Sequence, residues 1–130
     1  MLEGDGLIGQ FIKAMKIVLS CNDAEALKKA IIKAAEDDTL KTWETRSTKS
    51  EGKVLTHSTS TRQWEDEVLI VLVPLQNDRP FSPDTLEARV SWWEKKPEPP
   101  HDVKAYITGR FTEVLLAHFS KKFTDFRIEK

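Results

Sequence analysis

Cysteine is almost missing from this chain of 130 residues, in which Cys21 is the single thiol. One cysteine can form neither an intrachain disulfide nor a cysteine-based zinc cage, so a disulfide scaffold is excluded. A lone thiol is more common in reducing compartments than in secreted domains. The sequence therefore predicts a cytoplasmic protein.

Long apolar runs and glycine-rich loops are also missing. The longest apolar run, at residues 68–73, is far shorter than the roughly 20 residues that span a bilayer. Residues 1–20 have no basic start and are interrupted by polar side chains, so they do not resemble a signal peptide. The five glycines do not have the spacing of a phosphate-binding loop. We expect neither membrane insertion nor nucleotide binding.

Charge of one sign is not in excess, because 20 Lys and Arg stand against 21 Asp and Glu. A protein dedicated to duplex nucleic acid usually carries a basic excess, since phosphate neutralisation dominates its affinity. The hydrophobic share of 39% is enough for one compact core. The composition predicts a single domain over residues 7–130, after a flexible or expression-derived leader at 1–6, with no nucleic-acid partner.

Apolar spacing predicts two helices near the N-terminus. Residues 7–15 repeat apolar side chains every three or four positions, which is typical of an amphipathic helix. Residues 16–20 fit either its continuation or a short strand. A second helix begins at a cap supplied by Asn22 or Asp23 and extends to Ala35.

From Leu40 onward the apolar period changes to two, which indicates strands. Four such segments follow one another, at residues 41–48, 53–64, 67–73 and 86–93. Asp102 then caps a C-terminal helix, and Phe126 with Ile128 suits a short last strand. The expected class is α+β in two layers: an antiparallel sheet of four to five strands, with two N-terminal helices (or a strand plus a helix) and one C-terminal helix packed on one face.

Two adjacent tryptophans are the first candidate site. Alternation along residues 86–93 places Trp92 in the core and Trp93 on the opposite face, together with Arg89. An aromatic ring beside an arginine on an exposed sheet face can hold a partner side chain. Two further candidates for this face are Arg46 and His57.

The second candidate is the strand at 67–73 with the loop that follows it. The strand is apolar on both faces, which predicts an interior strand and a cover over the second face: a partner, a ligand, or the loop at 74–85. This loop is long for a link between adjacent antiparallel strands, and long loops are often functional. Its Phe81 and Arg79 are candidate contact residues.

Residues for catalysis or metal binding are few. The three histidines do not have metal-ligand spacing, so we expect no metal and no cofactor, and we assign no catalytic residue. His118 lies on the apolar stripe of the C-terminal helix and is expected in the core. A nucleophilic pair of Cys21 and His118 is the weaker interpretation.

Taken together, these features favour a non-catalytic interaction or assembly module. It would bind a protein partner, or a second copy of itself, through the exposed sheet face and the 74–85 loop. The alternative is a small-ligand-binding or cofactor-free enzyme domain with a pocket between sheet and helices. Convergent titratable residues in a cavity would favour the enzyme, and an exposed apolar patch would favour the module.

Overall fold

The computed structural model of the chain describes residues 7–8, 15–49, 51–58, 68–77 and 83–130. These residues form two helices and a set of antiparallel strands, which confirms the α+β class. In chain order the elements are β1 (Leu7–Ile8), β2 (Lys16–Cys21), α1 (Ala24–Glu36), β3 (Trp43–Thr48), β4 (Gly52–His57), β5 (Leu69–Leu75), β6 (Asp84–Trp93), α2 (His101–His118) and β7 (Asp125–Glu129).

The main sheet has six strands in the order β3-β4-β5-β6-β2-β7, and every pairing is antiparallel. The short β1 adds to β6, with Leu7 opposite Trp93 and Ile8 opposite Trp92. The expected four to five strands were too few, because the segment at 16–21 enters the sheet between β6 and β7. The open choice at residues 16–20 is thus settled as a strand.

The predicted helix over residues 7–15 is wrong wherever the structure describes it. Leu7 and Ile8 are extended, and the carbonyl of Met15 accepts a hydrogen bond from the Val90 amide at 3.0 Å. Residues 9–14 lie outside the described part. The error has a physical reason: strand β6 satisfies the backbone groups of this segment, and apolar spacing does not reveal a partner so far along the chain.

Helix α1 is capped by Asp23, one of the two predicted caps, and a second aspartate also binds its first turn. The Asp23 carboxylate accepts a hydrogen bond from the Ala26 amide at 3.0 Å. The buried Asp84 carboxylate, at the start of β6, accepts one from the Ala24 amide, also at 3.0 Å. Both bonds satisfy amides that a helix leaves unpaired in its first turn. Leu27 and Ile31 lie on the buried side, above the sheet.

Helix α2 differs from its prediction at both ends. Its N-cap is Pro100, which makes no side-chain cap bond, and Asp102 lies within the first turn. The buried stripe has four-residue spacing and ends on Phe119, so His118 lies one position aside and is exposed. The prediction of a core His118 is therefore wrong. Among the described residues, neither helix is long and apolar enough to cross a membrane.

Strand β5 is an interior strand, as its two apolar faces predicted. It lies between β4 and β6, and residues 68–72 are all buried. Ile70 and Leu72 face the helices in the main core, whereas Leu69 and Val71 face the other side of the sheet. The sheet therefore carries apolar clusters on both faces.

Candidate functional site

Trp92 and Trp93 point to opposite faces of the sheet, as alternation predicted. On the helix side, the Lys104 ammonium of α2 lies 4.8 Å from the centre of the Trp92 ring. On the other side, Trp93 packs with Val54, Leu69 and Val71. Only 6% of Trp93 is exposed, so the expected open aromatic surface does not exist around this ring. The reason is that apolar side chains of three neighbouring strands, β4, β5 and β6, converge there into a second buried cluster.

Beside this cluster, the second face carries ion pairs around Glu87. The Lys16 ammonium lies 3.3 Å from the Glu87 carboxylate, and the Arg89 guanidinium lies 2.7 Å from it. Lys16 also lies 3.7 Å from Glu129 on β7. The candidate residue Arg89 is thus engaged within the chain, in a row of alternating charges across β6, β2 and β7. Such a row neutralises the face and orders its side chains.

His57 and Arg46, expected together on the face of Trp93, lie on opposite sides of the sheet. Arg46 is opposite Val54 in the register and shares the second face. His57 is opposite Trp43 and shares the helix face, with the two ring centres 4.9 Å apart. The placement of His57 beside Trp93 is therefore wrong, because alternation cannot assign a face until the register of β3 and β4 is known.

The His57 ring is closed in by aromatic side chains. It is 2% exposed, and the ring of Tyr106 on α2 lies 6.1 Å away. Neither ring nitrogen has a hydrogen-bond partner among the residues that the structure describes. Burial lowers the pKa of this imidazole, and the nearby Arg110 guanidinium lowers it further. His57 is therefore neutral near pH 7, and protonating it would place an unpaired charge in the core.

The stability of the protein is expected to fall in mild acid because of His57. Its pKa is depressed in the folded state, so below about pH 6.5 the unfolded chain takes up the proton more readily. Each unit of difference between the two pKa values is worth about 1.4 kcal/mol. Urea unfolding from pH 7.5 to 5 measures this loss. In His57→Phe it should shrink, and an identical pH profile for both proteins would contradict the prediction.

Cys21 has the opposite of a nucleophile's environment. It is buried in β2, and burial raises the pKa of its thiol, with further increases from the Asp84 and Asp23 carboxylates. A thiol of raised pKa is poorly reactive at neutral pH. With His118 exposed at the end of α2, the structure does not support the pair of Cys21 and His118. In the described ranges, no three His, Cys, Asp or Glu residues are grouped so as to hold a metal ion.

A cleft of about 330 Å³ opens where the start of α2 meets the start of β5. Its walls are mostly apolar, and Glu98, one of the lining residues, pairs with Lys104. The lining residues are Val68, Lys96, Pro97, Glu98, Pro99, Pro100 and Val103. The volume is at the lower end of the range for small-molecule sites.

The loop after β5 is described only at its two ends. β5 continues through Pro74 to Leu75, which shortens the loop relative to the prediction. The Asn77 side-chain amide donates to the Pro83 carbonyl at 2.6 Å and to the Thr85 hydroxyl at 2.9 Å, and so ties the two ends together. Phe81 and Arg79 lie outside the described residues, and their role in binding stays a prediction.

The edge strand β7 was predicted only as a short strand, and its exposure was missed. It pairs with β2 on one side, and in the described sheet no strand lies on its other side. Arg127 is largely exposed on the second face, and Ile128 is 47% exposed on the helix side. The alternation of charged and apolar residues in Asp125–Glu129 was the available signal.

Comparison of the chain with protein-family models, with curated proteins and with solved structures found no match.

Proposed function

We propose that this chain is a non-catalytic interaction module that binds a protein partner through the outer edge of strand β7. The observation that carries the proposal is the position of β7 at the edge of the described sheet, with Ile128 in the open. An edge strand offers a row of backbone N–H and C=O groups that an added strand can pair with. We propose this edge as the binding surface instead of the second sheet face, because that face is closed around Trp93.

The side chains of β7 support recognition rather than indiscriminate pairing. Arg127 donates to Glu129 at 2.8 Å on the second face. The outer edge of β7 therefore presents both signs of charge. Charges on an edge strand oppose non-specific association, and they also favour a partner that presents opposite charges at the facing positions. Ile128 lies between them on the other face and supplies the apolar contact. A strand-adding protein partner therefore fits this edge better than a small molecule.

A photo-crosslinking amino acid at position 128 tests the proposal. In cells that express the chain, p-benzoylphenylalanine at this position should link it to one defined protein, identified by mass spectrometry as this chain or another. The matched control is position 116 on α2, because Leu116 is also 47% exposed. Equal labelling from both positions, or no protein adduct from position 128, would overturn the proposal.

A further inference from the structure

The sequence of β7 is complementary to itself. It is Asp-Phe-Arg-Ile-Glu, in which charged and apolar residues alternate and both signs of charge are present. Building on the proposed function, we propose that the partner is a second copy of this chain. The two β7 strands pair antiparallel about Ile128, so that Arg127 of each copy lies opposite the partner's Glu129.

The faces of β7 restrict how two copies can pair. In the register with β2, Ile128 lies opposite Ile17 on the helix side, whereas Arg127 and Glu129 lie opposite Val18 and Lys16 on the second face. Two antiparallel strands that extend one sheet place residues of the same face opposite each other. In a symmetric pair, one residue on the two-fold axis must therefore lie opposite its own copy. The possible registers differ only in which residue of β7 this is.

Charge selects among these registers. An axis at Arg127 places the two arginines opposite each other and Asp125 opposite the partner's Glu129, which is repulsive throughout. An axis at Ile128 gives two pairs between Arg127 and Glu129 of opposite copies. An axis at Phe126 gives two pairs between Asp125 and Arg127 instead. Opposite charges facing each other across strands are stabilising, so the last two registers remain.

Burial selects the register at Ile128. Phe126 already packs within its own chain, with its ring 6.2 Å from that of Phe123 and against the main core. Ile128 is among the most exposed large apolar side chains of the described residues, and only this register places it against its own copy. Removing apolar surface from water is the main favourable term in such an association.

The same register extends the row of ion pairs across the sheet. The row runs from Arg89 through Glu87 on β6 to Lys16 on β2 and Glu129 on β7, with opposite charges next to each other. The partner's Arg127 would come next, so that the Glu129 carboxylate, which already accepts from Arg127 of its own chain, lies between Lys16 of that chain and an arginine of the other copy. Each carboxylate then has cations on both sides, which compensates the charge along the junction.

Charge reversal in the full chain tests the pairing. Sedimentation equilibrium of the unaltered chain over a wide concentration range should show a monomer–dimer equilibrium. Arg127→Glu and Glu129→Arg should each weaken the dimer at least about tenfold, because each places two pairs of like charges opposite each other. An equimolar mixture of the two variants should restore dimers, since every cross-strand pair is then again of opposite sign.

Asp125→Arg is the matched control. Asp125 takes part in neither of the Arg127–Glu129 pairs of the register at Ile128, so this variant should dimerise normally, whereas the register at Phe126 would lose its pairs. Matching melting temperatures exclude unfolding as the cause. A monomeric unaltered chain, a mixture that stays monomeric, or an Asp125→Arg variant as weak as Glu129→Arg would overturn self-pairing. If position 128 then still crosslinks to a different protein, the proposed function stands without it.

Discussion

Truncating Trp93 to alanine is expected to lower the free energy of unfolding by about 3–5 kcal/mol, as for a large core aromatic. The ring is buried against Val54, Leu69 and Val71, so its removal leaves a cavity between three strands. Urea denaturation of the purified chain measures the loss. Alternation alone places Trp93 on an exposed face and predicts a change within about 1 kcal/mol, so the experiment separates the two interpretations.

Two further variants control this measurement. Trp93→Phe keeps much of the ring and should retain part of the lost stability. Leu116→Ala removes an apolar side chain that is half exposed on α2 and should change stability by less than about 1 kcal/mol. A Trp93→Ala protein as stable as Leu116→Ala would mean that the second cluster does not form a packed core.

Replacing Val71 with aspartate is expected to cost about 3 kcal/mol or more, because it removes an apolar side chain from the second cluster and buries a carboxylate opposite Arg89, which already pairs with Glu87. Val71 is 1% exposed on β5. It lies two positions after Leu69 on the same face and opposite Arg89 of β6. Thermal unfolding at pH 7 should show a much lower melting temperature or no folded state.

Leu75→Asp is the matched control for this substitution. Leu75 lies on the same strand and the same face but is 37% exposed, so the carboxylate of an aspartate there would remain hydrated. We expect its effect to stay within about 1 kcal/mol. Equal losses for both variants would contradict the interior placement of residues 68–72.

The period of apolar residues and the helix-capping residues were sufficient to predict the elements whose signal in the sequence is local. The alternation of β6 correctly assigned opposite faces to Trp92 and Trp93, and the two apolar faces of β5 correctly predicted an interior strand. The start of α1 was predicted at Asn22 or Asp23, and it is the Asp23 side chain that accepts from an amide three positions along. Each of these features depends on neighbours within a few residues, which is why the sequence reveals them.

The remainder depends on pairings between distant segments. The apolar residues of β2 fit a helix or a strand until β6 and β7 are known as their neighbours. The same insertion makes β7 an edge, so the proposed surface was not visible in its own sequence. Burial of Trp93 likewise depends on Val54, which the pairing of β4 in the sheet brings into the same cluster. The sheet face on which His57 lies is determined by its pairing with Trp43.

The insertion of β2 between β6 and β7 has a consequence for the order of folding. Lys16 lies 71 positions from the Glu87 that it pairs with, and Ser20 lies 104 positions from Thr124. During synthesis β2 is made before both of its neighbours in the sheet, β6 and β7. The hairpin of β3 and β4 can form first, whereas β2 must wait with its apolar residues uncovered. Such non-local pairing slows folding and leaves the apolar residues of β2 open to aggregation until β6 has been made.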